Sequence, residues 1–103
     1  MKLLRDHQGR QVRLTDERLG HILGHPEMAD LEAALAETLE HPALVVQSRS
    51  DPEAGMSYRF YTGTKVGDKW LCVVVKYSAV DAFILTAYLT DKPKKGEQLW
   101  PTK

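Results

Sequence analysis

The hydrophobic pattern of this chain changes its period near residue 43. Before that point, apolar side chains recur at helical spacing, first at Leu19, Ile22 and Leu23 and then at Met28, Leu31, Leu35 and Leu39. After it, apolar and polar residues alternate, which is the pattern of strands that bury one face. Because helices and strands occupy separate parts of the chain, the sequence predicts an α+β fold.

Capping and turn residues indicate where these elements begin and end. Thr15 is a suitable N-cap for the first helix, and Gly24 and Pro26 mark its end. The second helix starts near Pro26 or Glu27 and ends at the His-Pro pair 41–42. Strands are predicted over residues 43–48, 57–62, 69–77 and 82–90, with a small N-terminal hairpin over 2–5 and 10–14.

We therefore expect short N-terminal strands and two helices packed on one face of a four-stranded antiparallel sheet, as one domain over residues 1–103. The single cysteine, Cys72, excludes an internal disulfide and a cysteine-based zinc site. No run approaches the roughly 18 apolar residues that cross a bilayer, and the apolar part of the N-terminus is too short for a signal peptide. We expect a cytoplasmic protein without a membrane partner.

The formal net charge is zero, but acidic and basic residues are segregated along the chain. Residues 15–42 hold seven acidic residues and one basic residue. Residues 1–14 hold four basic and one acidic, and residues 43–103 hold nine basic and six acidic. A neutral protein with this distribution can present a basic face to phosphate, although solvation of acidic helices explains the same pattern.

Alternation sorts the strand residues into two faces. One self-consistent assignment turns the apolar sets toward the helices and leaves a polar set on the open face: Arg49 or Ser48, Arg59, Tyr61, Lys76, Thr86 and Tyr88. Cations there would neutralise phosphate, and a tyrosine can stack on a base or hold a proton. Lys76 interrupts the apolar run VVVKY, where an unpaired lysine is costly, although a lysine that reaches solvent on a wet face fits as well. Lys92, in the lysine-rich tail DKPKKGEQLW, is a further substrate-binding candidate.

The segment HILGHPE places His21 and His25 four positions apart, at the edge of the apolar stripe of the first helix. Three interpretations are open. Metal binding has the spacing but lacks the glutamate of HExxH and any cysteine ligand, so we expect no metal. Acid–base catalysis suits a side chain that titrates near neutral pH. A structural role at a helix end is the interpretation that spacing alone favours.

Several segments together resemble a known family: LTDERLGHILGHPEM, LVVQSRSD, LCVVVKY, ILTAYLTD and KKGEQLW. They look like the small phage- and mobile-element-associated nucleases of the barnase–EndoU–colicin E5/D–RelE type, over roughly residues 11–100. The resemblance implies helices followed by an antiparallel sheet. It also implies a toxin-like, metal-independent ribonuclease that needs no cofactor, with RNA, tRNA included, as substrate and an inhibitor protein as a further partner.

In such enzymes a base removes the 2′-hydroxyl proton, the oxygen attacks the adjacent phosphate, and an acid protonates the leaving 5′-oxygen, which gives a 2′,3′-cyclic phosphate. Carried over by motif, His21 or His25 would be the acid or base. Lys76 and Arg59 would stabilise the phosphate and the transition state, and Thr86 and Tyr88 would orient the substrate or assist proton transfer. The alternative function is a non-catalytic module that binds RNA or protein through the same basic face.

Overall fold

The computed structural model describes residues 1–102. Over this range the chain forms seven strands, two α-helices and one short 3₁₀ turn. In chain order they are β1 Lys2–Arg5, β2 Gln11–Leu14, α1 Asp16–Leu23, the 3₁₀ turn Pro26–Met28, α2 Glu32–Glu40, β3 Leu44–Gln47, β4 Ala54–Thr64, β5 Gly67–Tyr77, β6 Ala82–Thr90 and β7 Gln98–Trp100.

The predicted four-stranded antiparallel sheet is wrong, because residues 1–102 build one seven-stranded sheet in the order β1-β2-β6-β5-β4-β3-β7. The four predicted strands form its antiparallel centre. The N-terminal hairpin joins this centre through a parallel bridge between Arg13 and Phe83, and β7 pairs with β3 at the opposite edge. The sheet is therefore mixed. Strand β7 was missed because a strand of three residues has no measurable period.

Capping explains the positions of the helices. The hydroxyl of Thr15 accepts a hydrogen bond from the backbone N–H of Arg18 at 3.2 Å, so α1 begins where the sequence predicted. The residue before Pro26 is extended, which separates α1 from the 3₁₀ turn, and α2 begins only at Glu32. Among the described residues, no helix is long and apolar enough to cross a membrane.

The two faces of the sheet carry separate apolar clusters. The helix face packs against α1 and α2, and its buried cluster consists of Val12, Leu14, Ile22, Met28, Leu35, Leu39, Leu71, Val73, Val75, Ala82, Ile84 and Ala87. The opposite face, here called the helix-free face, carries Val46, Met56, Tyr58 and Cys72, with Trp70, Val74 and Tyr88 partly buried beside them. Both faces of the central strands are therefore apolar, and each needs a cover.

A β-bulge in β6 changes which residues share a face. Val74 pairs with Thr86 but Val75 pairs with Ile84, so Leu85 is the extra residue. Ile84 therefore lies on the helix face together with Ala87, while Thr86 lies on the helix-free face. Strict alternation would place Ile84 and Thr86 on one face, and the inserted residue puts them on opposite faces.

A segment between β6 and β7 covers the helix-free face. Residues 91–97, here called the strap, leave the end of β6 and cross to the edge of β3. The backbone N–H of Lys94 donates to the hydroxyl of Tyr58 at 3.1 Å, and the carbonyl of Glu97 accepts from the backbone N–H of Gln47 at 2.8 Å. Tyr58 is fully buried as a result. The strap gives this face the cover that the helices give the other.

The sheet curls until its two ends approach each other. The ring centroid of His7, in the β1–β2 turn, lies 5.3 Å from that of Trp100 in β7, although their strands are at opposite ends of the strand order. Buried Asp6 fixes this turn, because its carboxylate accepts hydrogen bonds from the backbone N–H groups of Gln8 and Arg10 and from the hydroxyl of Tyr77. The turn therefore packs over the end of β5.

The strap passes β3 so closely that only glycine fits at Gly96. A Cβ at this position would lie 2.5 Å from the carbonyl oxygen of Gln47 and 2.6 Å from Cγ1 of Val46. We expect Gly96→Ala to lower the free energy of unfolding by about 1–3 kcal/mol, because a backbone or a packed side chain must move. Urea denaturation measures this difference.

Gly20→Ala is the matched control. Gly20 lies in α1, and a Cβ there meets nothing within 4 Å. This substitution should raise the free energy of unfolding by roughly 1 kcal/mol through helix propensity. A Gly96→Ala variant as stable as the wild type would show that the strap does not depend on its close approach to β3.

Candidate nucleic-acid interface

A basic cavity of about 490 Å³ opens on the helix-free face, between the β3–β4 loop and the strap. Its lining residues are Ser48, Arg49, Ser50, Met56, Lys94 and Lys95. The loop supplies the serines and the arginine, and the strap supplies the lysines. Three cations and two hydroxyls therefore surround one opening, and no carboxylate is among the lining residues.

The cations of this cavity have no carboxylate partner in the part of the chain that the structure describes. Among residues 1–102, Arg49, Lys94 and Lys95 form no ion pair. The lysine and arginine side chains that do pair with carboxylates are Lys2, Arg13, Arg59, Lys65, Lys69 and Lys76. In a chain of zero net charge, the electrostatic potential depends on where the unpaired cations lie. They make this opening electropositive.

Lys76 lies on the helix-free face, as predicted, but its charge is already balanced. Its Nζ lies 2.5 Å from Oδ2 of Asp51 and 3.3 Å from Oε1 of Glu53, both in the loop that precedes β4. The hydrogen bond to Asp51 raises the pKa of Lys76, and the same contact lowers the pKa of Asp51. Lys76 therefore anchors the β3–β4 loop, and it brings little uncompensated charge to a phosphate.

Tyr88 and Thr86 also lie on the helix-free face, next to the strap. The ammonium group of Lys94 lies 6.0 Å from the centroid of the Tyr88 ring. Burial, together with the neighbouring Cys72 and Tyr58, raises the pKa of Tyr88 above its ordinary value. Burial likewise raises the pKa of Tyr58 to about 12. Both phenols keep their protons at neutral pH, so Tyr88 can donate a hydrogen bond or a proton but cannot act as a base.

Arg59 and Tyr61 are not on this face, contrary to the predicted grouping. They point to the helix face and hold the C-terminal part of α2. Arg59 Nη1 donates to the carbonyl of His41 at 2.7 Å, and Tyr61 Oη donates to Glu37 at 2.7 Å. Burial raises the pKa of Tyr61 to about 12. The grouping failed because Tyr58, their neighbour in β4, is the core residue of the second apolar cluster.

His21 and His25 belong to the helix layer. Both are exposed, and their rings meet edge to face with centroids 5.6 Å apart. Helix α1 packs through Ile22 on the helix face, whereas Lys76, Thr86 and Tyr88 lie on the helix-free face. The sheet therefore separates the histidines from the polar residues with which the family resemblance groups them. The described residues also contain no group of three or more His, Cys, Asp or Glu side chains arranged to hold a metal ion.

Sequence reasoning found part of the cavity and missed the rest. Ser48 and Arg49, two of the predicted substrate-binding residues, line it, whereas Lys92 lies on the strap outside the lining. Lys94 and Lys95 were not predicted as site residues, because a polar segment without periodicity does not indicate which face of the sheet it will cover. The available signal was the run KPKKG, in which a glycine follows closely spaced lysines and permits a close backbone approach.

The Lys76–Asp51 contact predicts a pH dependence of stability. Because the pKa of Asp51 is lower in the folded chain, its carboxylate stabilises the fold at neutral pH, and this contribution disappears as the pH falls below the ordinary value of 3.8. Asp51→Asn, which retains an oxygen for the backbone N–H of Glu53, should lower the unfolding midpoint in urea at pH 7. The difference from wild type should vanish in acid.

Asp30→Asn is the control for this experiment, since Asp30 is exposed and its ion pair with Lys65 spans 3.5 Å. It should change the midpoint less than Asp51→Asn does at pH 7. If the difference between Asp51→Asn and wild type is the same at pH 7 and in acid, the Lys76–Asp51 contact does not stabilise the loop.

Comparison with known proteins gives no match to a family model, a curated protein or a solved structure. The resemblance to phage-associated nucleases therefore rests on the sequence motifs alone. Conclusions about function rest on the residues that the fold brings together, which are the cations and hydroxyls of the basic cavity and the aromatic residues beside it.

Proposed function

We propose that this chain binds RNA on its helix-free face, with a backbone phosphate seated in the basic cavity. The observation that carries the proposal is the cluster of Arg49, Lys94 and Lys95 around one opening, without an ion pair to any carboxylate of residues 1–102. Guanidinium and ammonium groups neutralise phosphate. The hydroxyls of Ser48 and Ser50 share one hydrogen bond of 3.1 Å, which leaves one hydroxyl proton to donate to a phosphate oxygen. A cytoplasmic location is part of the proposal, because RNA is abundant there.

The distribution of charge supports an anionic partner on this face. Residues 15–42, which form the helix layer, hold seven acidic residues and one basic residue. The uncompensated cations of the cavity lie on the opposite side of the sheet. A polyanion approaching such a molecule is repelled by one side and attracted by the other, so the charge distribution orients the encounter. An inhibitor protein that covers the cavity would need an acidic surface for the same reason.

Charge reversal on the strap tests this proposal. Lys94→Glu combined with Lys95→Glu should weaken the binding of single-stranded RNA at every salt concentration. It should also reduce the slope of log K against log salt by about two, since two phosphate contacts are lost. Fluorescence anisotropy of a labelled oligoribonucleotide, titrated over a range of KCl concentrations, measures both quantities.

Arg18→Glu is the matched control. Arg18 is exposed in α1, on the helix layer, and has no ion pair among residues 1–102. Arg18→Glu changes the net charge by as much as each of the two strap substitutions does, but Arg18 lies away from the cavity. If Arg18→Glu weakens binding as much per substitution, RNA is held by general electrostatics and not at this site. A wild-type protein that binds no RNA at low salt would contradict the proposal outright.

A second candidate is metal-independent RNA cleavage, as the resemblance implies. Tyr88 is the observation that favours it, because Tyr88 lies on the same face as Thr86 and its ring centroid lies 6.0 Å from the ammonium group of Lys94. In this reaction a hydroxide ion from solvent takes the 2′-hydroxyl proton and the 2′-oxygen bonds to phosphorus. The bond from phosphorus to the 5′-oxygen breaks as that oxygen takes a proton, which Tyr88 would supply. The products are a 2′,3′-cyclic phosphate and a 5′-hydroxyl.

The cleavage candidate makes a distinct prediction about residues. Tyr88→Phe should reduce EDTA-resistant cleavage of total RNA by about a hundredfold or more, the usual contribution of a general acid. The double variant His21→Ala, His25→Ala should cleave as wild type does, because the helix layer carries both histidines. Gel assays of RNA and mapping of the cyclic phosphate measure these rates.

Binding without turnover in the wild type would leave the chain as an RNA-binding module. Cleavage that persists in Tyr88→Phe but is lost in the double variant His21→Ala, His25→Ala would contradict the role of Tyr88. It would assign the acid–base function to the histidines of α1. The binding measurements on the strap variants are independent of either result.

A further inference from the structure

An aromatic pair lies on the helix-free face beyond the strap. Phe60 in β4 and Trp70 in β5 are cross-strand neighbours, with ring centroids 5.4 Å apart and an interplanar angle of 66°. Phe60 leaves 48% of its surface exposed, and Trp70 is partly buried. About half of the Phe60 side chain therefore remains accessible to a partner. An exposed ring on a sheet offers a surface on which a nucleic-acid base can stack.

The pair lies in line with the basic cavity. Met56, Tyr58 and Phe60 follow one another on the same face of β4, with Met56 at the cavity wall and Tyr58 beneath the strap. Four residues of antiparallel strand separate Phe60 from Met56, which is roughly 13 Å. Tyr58, with the backbone of the strap above it, lies between the two ends, and Lys94 and Lys95 lie at the cavity end. The exposed aromatic surface and the basic cavity therefore lie at the two ends of one line along β4, here called the track.

We propose that this track takes single-stranded RNA, with a base stacked on Phe60 while a phosphate further along the same strand occupies the cavity. This inference rests on the proposed function and adds the substrate class. Every base has a π-face, so stacking on Phe60 does not require a particular sequence. Lys94 and Lys95, which line the cavity, contact that phosphate.

Double-stranded RNA cannot make all the contacts that this track offers. In double-stranded RNA the bases are stacked on one another, and an aromatic side chain on a sheet cannot reach their faces. Phosphate contacts at the cavity remain possible for a duplex, but the contact with Phe60 is lost. The track therefore predicts a preference for single strands that depends on Phe60, whereas the cavity alone predicts none.

Trp70 makes the stacking directly observable. The chain has two tryptophans, so Trp100→Phe leaves Trp70 as the only one. In that background we expect an octariboadenylate to quench the tryptophan fluorescence on binding.

Phe60→Leu keeps apolar bulk but removes the ring, and it should weaken the binding at least about fivefold. Phe60→Tyr retains the ring and should bind as wild type does. Val80→Ala, at an apolar residue that is 95% exposed elsewhere, is the control.

The outcomes separate this inference from the proposed function. If Phe60→Leu binds the octamer as tightly as wild type while Lys94→Glu with Lys95→Glu does not, phosphate binding stands and stacking on Phe60 is overturned. Equal binding of the octamer and of a duplex of the same length also overturns it. If the wild type binds neither RNA, the proposed function fails as well, and the face is left for a protein partner. A fivefold loss in Phe60→Leu, with recovery in Phe60→Tyr, supports the track.

Discussion

Burial of both faces of the central strands is the constraint on which this structure depends. Leu71, Cys72 and Val73 are consecutive in β5, and all three are fully buried. Since consecutive strand residues point to opposite faces, the sheet cannot leave either face to solvent here. The helices cover one side. The other side has no helix, so the segment between β6 and β7 must cross it.

The crossing segment gives the molecule its electrostatic asymmetry. A cover made from an apolar helix would have hidden the helix-free face completely. A narrow strap with lysines at positions 92, 94 and 95 covers Tyr58 and leaves an aromatic surface on one side and a cavity on the other. The acidic residues of the chain are concentrated in the layer behind the sheet. One element thus completes the core and carries the cations that we assign to RNA.

Sequence periodicity predicted the central strands and the helices, whereas features that depend on tertiary contacts were not predicted. The change of period located the central strands, and Thr15 located the start of α1, because both signals are local. The bulge at Leu85 escaped prediction, since one extra residue exchanges the faces without changing the composition. The grouping of Arg59 with Lys76 failed for a related reason. Because apolar residues lie on both faces of this strand, alternation alone does not indicate which face packs against the helices.

The place of Cys72 has a chemical consequence. The thiol is buried beside Tyr58, the residue that holds the strap, and burial raises its pKa. Alkylating reagents attack thiolates that they can reach, so Cys72 is protected while the segment above it stays closed. It is also the only cysteine of the chain. The rate of its modification therefore reports how often this part of the native protein opens, without any label having to be introduced.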